Sequence, residues 1–155
     1  LAYDPYVTPG SRSASGVEIC SLKRLLTESD FISVHVPEND ETTNLIGTRQ
    51  LALMRSNAYL VNVTSPAVVN ASALADALRT GAIAGAAMDV HESHPIAPDS
   101  PLIGLPNVVL TPHIGGATVE SIGRHSVMVV EDIRRFVAGK RPKRLANPPV
   151  WSRRR

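Results

Sequence analysis

Four short apolar runs, separated by amphipathic segments, constrain the fold of this chain more than any other feature. The runs cover residues 31–36, 58–63, 84–90 and 108–110. Three of them are followed closely by a proline: Pro37, Pro66 and Pro112. Proline lacks the N–H that a β-ladder needs and disfavours helix at the residue before it, so each predicts the end of a strand. Continuous apolar strands are typical of a parallel sheet that is buried on both faces.

The segments between the runs have the 3.6-residue spacing of amphipathic helices. Ser21, Thr48 and Ser72 each stand before such a pattern, and a hydroxyl at the N-cap satisfies an unpaired amide of the first turn. Gly81 stands where the third of these helices is expected to end. A longer helical pattern covers about residues 118–139. Strands that alternate with helices over short connections predict an open, twisted α/β sheet with right-handed crossovers.

The two ends of the chain differ from its middle. Residues 1–4 have the character of the last residues of a strand, so we expect the sheet to be incomplete at its N-terminal edge. Residues 139–155 contain seven Lys or Arg and no acid. We expect a domain over residues 1–140 and a basic, proline-containing tail over 141–155. Short basic runs are typically solvated termini, and nucleic-acid binding is not expected.

Composition narrows the class of protein. Hydrophobic residues make up 43% of the chain and charged residues 19%, which is typical of a globular domain and not of a disordered segment. No apolar stretch approaches the roughly 18 residues of a membrane span, so no membrane association is expected. Cys20 is the single cysteine, which excludes an intramolecular disulfide and a thiolate metal cluster. We therefore expect a reducing, cytoplasmic location.

Polar residues follow the expected strand ends, where ligands bind in open α/β sheets. Asp4 stands at the end of the partial strand expected at the N-terminus. A carboxylate at this position accepts hydrogen bonds from both hydroxyls of a ribose and repels a 2′-phosphate, which favours NAD over NADP. The alternative is ordinary turn chemistry, because Asp often precedes proline in turns, as it precedes Pro5 here.

The order of five motifs resembles the NAD-binding domain of the D-isomer-specific 2-hydroxyacid dehydrogenases, a phosphoglycerate dehydrogenase-like family. The motifs are Tyr3-Asp4-Pro5, SDFISVHVP (29–37), LALMRSNAYLVNV (51–63), LADALRTGAIAGAAMDV (74–90) and PLIGLPNVVLTPHIGG (101–116). The resemblance implies a Rossmann-type, doubly wound parallel sheet. It also implies an oxidoreductase that transfers a hydride between NAD and a small 2-hydroxy or 2-oxo acid, and a homodimer. The chain starts after the family's glycine-rich phosphate loop, as a fragment would.

The same resemblance implies the site residues. It places His113 as the catalytic acid and base, since a His at the tip of the last strand exchanges the hydroxyl proton and polarises the carbonyl. It implies ten cofactor-binding positions: Asp4, Val36, Pro37, Val63, Thr64, Ser65, Asp89, His113, Gly115 and Gly116.

Two positions depart from the family pattern. Ser65 stands where the family has the Arg that holds the substrate carboxylate, and His94 stands where it has the carboxylate that stabilises the protonated catalytic His. We therefore expect the chain alone to be inactive. The alternative is a catalytically dead NAD-binding protein with a regulatory or interaction role. A zinc site from Asp89, His91, His94 and His113 is a weaker alternative, because the sequence shows no second shell for it, and no metal is expected.

Overall fold

A computed structural model describes residues 1–8, 10, 11 and 16–153. The chain forms two compact units, Leu1–Gly115 and Gly116–Arg155. The boundary predicted near residue 140 lies inside the second unit. That partition into a domain and a tail stays a prediction.

The first unit is built on a parallel sheet with the strand order β1-β2-β3-β4. The strands are β1 (Phe31–Val34), β2 (Tyr59–Asn62), β3 (Gly85–Met88) and β4 (Val108–Leu110). Every neighbouring pair in this sheet is parallel. The predicted Rossmann-type α/β fold is confirmed, with each strand inside one of the four apolar runs.

Helix α1 (Leu22–Glu28) precedes β1, α2 (Thr48–Leu51) lies between β1 and β2, and α3 (Ala71–Arg79) lies between β2 and β3. Ser21 caps α1 as predicted, accepting a hydrogen bond from the Arg24 amide at 3.2 Å.

The predicted N-caps of the other two helices are wrong. Thr48 is the first residue of α2, and Gly47 precedes it. For α3 the cap is Asn70, whose Oδ1 accepts from the Ala73 amide at 2.9 Å, and Ser72 lies within the first turn. Asn is as good an N-cap as Ser, so composition alone did not separate them. Gly81 follows α3 with φ +70°, a conformation that favours glycine.

The core lies on one face of the sheet. Its largest fully buried apolar side chains are Leu26, Leu51, Leu60, Leu74, Ile83 and Val68. On the opposite face Phe31 is 74% exposed, Tyr59 45% and Val109 61%. The expectation that both faces are buried is therefore wrong for the described residues. The Phe31 and Tyr59 rings stack on this open face, with centroids 5.5 Å apart.

The sheet is open along β1. Among the described residues, β1 has one neighbouring strand, β2. Ala2 forms an isolated parallel bridge with Ile19, outside the four-stranded sheet. A cleft of about 420 Å³ lies between residues 1–3 and β1.

The second unit contains the helix α4 (Val119–Val137), which Thr118 caps by accepting from the Ser121 amide at 3.1 Å. Gly139 follows with φ +71°. The basic segment beyond it contacts α4: Arg144 pairs with Glu131 at 3.1 Å and with Asp132 at 3.2 Å. Hydrogen bonds from Lys143 and Arg144 hold the pKa of Glu131 below its ordinary value. No described helix is long and apolar enough to span a membrane.

We expect Leu60→Ala to lower the free energy of unfolding by about 2–5 kcal/mol, because it leaves a cavity at a fully buried position of a central strand. Urea denaturation followed by far-UV circular dichroism measures the change. Leu53→Ala is the matched control, since Leu53 is 37% exposed. Equal losses for the two variants would contradict the assignment of the core.

Candidate active site

The carboxyl ends of the four parallel strands bring most of the predicted site residues to one edge of the sheet. Val36 and Pro37 follow β1, residues 63–65 follow β2, Asp89 follows β3, and His113 lies three residues beyond β4. Asp4 stands apart, since it follows the Ala2–Ile19 bridge. Gly116 is the first residue of the second unit.

Asn62 shapes the turn after β2. Its side chain is fully buried. Its Nδ2 donates to the Ser65 carbonyl at 2.9 Å, and its Oδ1 accepts from the Thr64 amide at 3.2 Å. The site prediction missed this residue, although an Asn inside an apolar run was a usable signal. Buried polar groups need hydrogen-bond partners, and here the backbone of Thr64 and Ser65 supplies them.

Ser65 contacts an acid at the end of this turn. Its hydroxyl donates a hydrogen bond to the carboxylate of Glu38. The same oxygen accepts from the Ala67 amide at 3.3 Å and caps a short 3₁₀ helix. The position where the resemblance implies a guanidinium therefore holds a hydroxyl bound to a carboxylate. The Glu38 carboxylate makes this position negatively charged, which disfavours the binding of an anionic ligand.

The Asp89 carboxylate fastens the loop after β4. Asp89 is 7% exposed and accepts three hydrogen bonds: from the Thr111 hydroxyl at 2.5 Å, the Ile114 amide at 2.9 Å and the Gly115 amide at 2.7 Å. The Thr111 hydroxyl, more than the two amides and nearby His113, lowers the pKa of Asp89 against the opposing effect of desolvation. Asp89 is therefore held as a carboxylate that organises residues 111–115.

His113 lies within this loop in an unusual backbone conformation. Its φ is +59°, in the left-handed region. For a residue other than glycine this region costs roughly 1–2 kcal/mol. The hydrogen bonds that Asp89 accepts from the next two residues hold the backbone there. The imidazole is exposed.

A second imidazole contacts His113 directly. His94 Nε2 lies 3.0 Å from His113 Nδ1, and the two rings meet edge to face at a centroid distance of 5.2 Å. His94 Nδ1 lies 2.9 Å from the Ser93 carbonyl oxygen. The His91 Nε2 hydrogen donates to the Thr111 carbonyl at 2.9 Å. The family resemblance placed His94 near His113, but it did not show which atoms meet.

The two glycines of the loop differ in their surroundings. A Cβ on Gly115 would lie 2.8 Å from Asp89 Oδ2, whereas a Cβ on Gly116 would meet no atom of the described residues within 4 Å. Gly115 is therefore required by the loop itself. A close approach of the cofactor to either glycine stays a prediction.

Asp4 has partners typical of a turn. Its Oδ1 accepts from the Tyr6 amide at 2.8 Å, and the Tyr6 hydroxyl donates to Glu41 at 2.8 Å. That hydrogen bond to Glu41 raises the pKa of Tyr6. Asp4 Oδ2 has no hydrogen-bond partner among residues 1–8, 10, 11 and 16–153. The turn and the ribose interpretations of Asp4 are thus compatible.

Within the described part of the chain, no group of three or more His, Cys, Asp or Glu side chains has a geometry that would hold a metal ion.

Comparison with known proteins places this edge in context. A family model described as the D-isomer specific 2-hydroxyacid dehydrogenase NAD binding domain matches residues 1–115. A glyoxylate reductase from Korarchaeum cryptofilum is 45% identical over 150 residues, which is 97% of this chain and 45% of that protein. A D-3-phosphoglycerate dehydrogenase from Archaeoglobus fulgidus is 39% identical over 149 residues, 96% of this chain and 28% of that protein. The chain thus spans less than half the length of these relatives.

Two solved structures superpose well on this chain. The NAD-complexed D-isomer specific 2-hydroxyacid dehydrogenase of Lactobacillus delbrueckii ssp. bulgaricus superposes with a TM-score of 0.81 at 31% identity, over 94% of this chain and 48% of that one. The TT0316 protein of Thermus thermophilus has a TM-score of 0.81 at 35% identity, over 88% of this chain and 44% of that one.

We expect Gly115→Ala to lower the protection of the Ile114 and Gly115 amides against hydrogen exchange by about tenfold or more, consistent with an overpacking cost of about 1–3 kcal/mol. Its Cβ would displace Asp89 from these amides. Gly116→Ala is the matched control and should leave both amides protected. The same loss in the two variants would show that the loop does not depend on close contact with Asp89.

The lowered pKa of Asp89 sets the pH range over which the loop is held. A carboxyl group with a depressed pKa contributes its interactions above the ordinary aspartate range and loses them as pH falls through the lowered value. Protection of the Ile114 and Gly115 amides should therefore persist from pH 7 to about 4 and fall only below that. Asp89→Asn should show weak protection at every pH. Loss in the wild type already at about pH 5, or full protection in the variant, would refute this role.

Proposed function

The chain belongs to the family of D-isomer-specific 2-hydroxyacid dehydrogenases, as their NAD-binding domain, and from this membership we propose its function. It is the NAD-binding portion of an oxidoreductase that transfers a hydride between NAD and a small 2-hydroxy or 2-oxo acid. The observation that carries the proposal is the exposed His113, held beyond β4 by a loop that Asp89 fastens. This is the position at which a proton-exchanging group serves a substrate bound at the carboxyl edge.

The residues at the edge fit NAD. The Oδ2 of Asp4, which accepts no hydrogen bond from a described residue, suits a ribose hydroxyl, and its negative charge favours NAD over NADP. Gly115, Thr64 and Ser65 carry no bulky side chain at this edge, which permits a close approach of the cofactor to the backbone. NAD supplies the hydride acceptor or, when reduced, the hydride donor. The sequence contains no Gly-x-Gly-x-x-Gly turn for the pyrophosphate, so we propose that this chain binds NAD weakly.

His113 supplies the proton. In the direction of reduction, the carbonyl carbon of the 2-oxo acid gains a hydride while the C=O π bond breaks. The oxygen then takes a proton from His113 Nε2 and becomes the hydroxyl. In oxidation His113 takes that proton back.

The Ser65–Glu38 contact supports the further proposal that the chain alone is inactive. The substrate carboxylate needs a cation, and this position holds an acid instead. Removing one partner of a desolvated ion pair costs about 2–5 kcal/mol, which lowers kcat/KM by more than an order of magnitude.

The replacement at residue 65 also favours a second candidate function. A NAD-binding domain that has lost its substrate-binding cation suits a regulatory or interaction protein in which binding, and not turnover, matters. The two candidates differ in whether turnover returns when a cation is restored.

Location and assembly are part of the same proposal. The buried, reduced Cys20 suits the cytoplasm. The apolar residues Ile122, Val129 and Ile133, which are more than half exposed on α4, suit a homodimer.

We expect the unmodified chain to show no NADH oxidation with glyoxylate, pyruvate, hydroxypyruvate or 2-oxoglutarate. The test of the cause uses a chimera that joins Leu1 to the part of the Korarchaeum cryptofilum glyoxylate reductase preceding the matched region. Ser65→Arg in this chimera should restore NADH oxidation, because it provides a cation for the substrate carboxylate.

Ser65→Ala is the matched control for this experiment, since it also breaks the contact with Glu38 but adds no cation. It should stay inactive. Calorimetry with NAD on each variant shows whether the cofactor site formed. NAD binding by the Ser65→Arg chimera without turnover on any of the four acids would favour the regulatory function. Brisk turnover by the unmodified chain would refute the proposed inactivity.

A further inference from the structure

A chain of two hydrogen bonds runs from a backbone carbonyl to His113. The Ser93 carbonyl oxygen lies 2.9 Å from His94 Nδ1, and His94 Nε2 lies 3.0 Å from His113 Nδ1. Both distances are ordinary for N–H···O and N–H···N hydrogen bonds.

The first contact fixes where the protons lie. A carbonyl oxygen only accepts, so the hydrogen between Ser93 and His94 belongs to His94 Nδ1. A neutral imidazole carries one N–H, so His94 Nε2 has no hydrogen and its lone pair is a hydrogen-bond acceptor. The hydrogen in the second contact must come from His113 Nδ1.

We infer that His94 is a positioning residue that does, as a neutral imidazole, what a carboxylate would do at its position. It accepts the Nδ1 hydrogen of His113 and thereby fixes the tautomer in which His113 Nε2 is free to exchange a proton. This inference rests on the proposed role of His113 in proton exchange. On this inference, the replacement of the family's carboxylate by His94 does not impair the orientation of His113.

The arrangement also serves the protonated state. When a proton is added at His113 Nε2, His113 Nδ1 still donates to His94. If the bridging hydrogen moves to His94, the positive charge moves with it and His113 keeps its Nε2 hydrogen. In both cases the transferable proton lies on the same atom of His113.

Neighbouring groups leave His94 as the acceptor for His113. Asp89 is nearby, but its hydrogen bonds go to Thr111, Ile114 and Gly115. The His91 ring lies 6.3 Å from the His94 ring and donates to the Thr111 carbonyl. No hydrogen bond to His113 from another side chain occurs in the described residues.

Long-range ¹H–¹⁵N NMR correlation of the uniformly ¹⁵N-labelled chain tests the inference without NAD or substrate. At a pH of about 9, where imidazoles are neutral, His113 should carry its hydrogen on Nδ1. His94→Ala should move that hydrogen to Nε2, the tautomer that predominates in free histidine. His94→Gln should keep it on Nδ1, because the amide oxygen accepts in place of the imidazole. Its retention in this variant separates hydrogen bonding from a loss of local structure.

His35→Ala is the control, since His35 bonds Ser33 and not the pair. It should leave the His113 tautomer unchanged. An Nε2 hydrogen on His113 in the wild type, or an Nδ1 hydrogen in His94→Ala, would overturn the inference. This result is independent of the proposed function: an inactive Ser65→Arg chimera leaves the tautomer intact, and an active chimera with the wrong tautomer leaves the function without this role of His94.

Discussion

The hydrogen bonds that Asp89 accepts are the interaction on which the site depends. The pairing of Met88 with Leu110 in the parallel register places Asp89 beside Thr111, one residue past each strand. From there the carboxylate binds the Thr111 hydroxyl and the two amides that follow His113. The backbone of His113 is thereby held at a positive φ that it would not adopt alone. The His113 imidazole, which contacts His94, is carried by this loop.

The sequence predicted what local patterns determine. Strand positions followed from apolar runs, the cap Ser21 from a hydroxyl residue before an amphipathic segment, and the start of the last helix near residue 118 from its helical spacing. The Asn70 cap was missed because Asn and Ser compete locally and only the position of α3 against the core decides between them. The open face was missed because apolar residues such as Phe31 do not reveal in sequence what covers them.

The contacts around His113 were not predicted in detail. The family resemblance implied that His94 lies beside His113, and the two rings are in contact, but which residues bind cofactor or substrate stays a prediction. The hydrogen bonds of Asp89 to the loop were not foreseen, since they join residues 22 to 26 positions apart in sequence. The Glu38 partner of Ser65 is 27 residues away and carries no motif. Contacts of this range depend on strand register, which a single sequence does not specify at atomic detail.

The two departures from the family pattern have opposite physical consequences. At residue 65 the replacement changes the sign of the local charge, because Ser65 binds the Glu38 carboxylate where a cation would stand. No hydrogen-bond rearrangement of Ser65 restores that charge. At residue 94 the replacement removes a negative charge but preserves a hydrogen-bond acceptor. The Ser93 carbonyl accepts the hydrogen of His94 Nδ1, which leaves His94 Nε2 to accept the hydrogen of His113 Nδ1. Orientation of a catalytic imidazole requires a lone pair at the right place and not a negative charge, whereas recognition of a carboxylate requires the charge itself. On the proposed function, the loss at residue 65 therefore limits substrate binding, while the geometry proposed for proton exchange at His113 is retained.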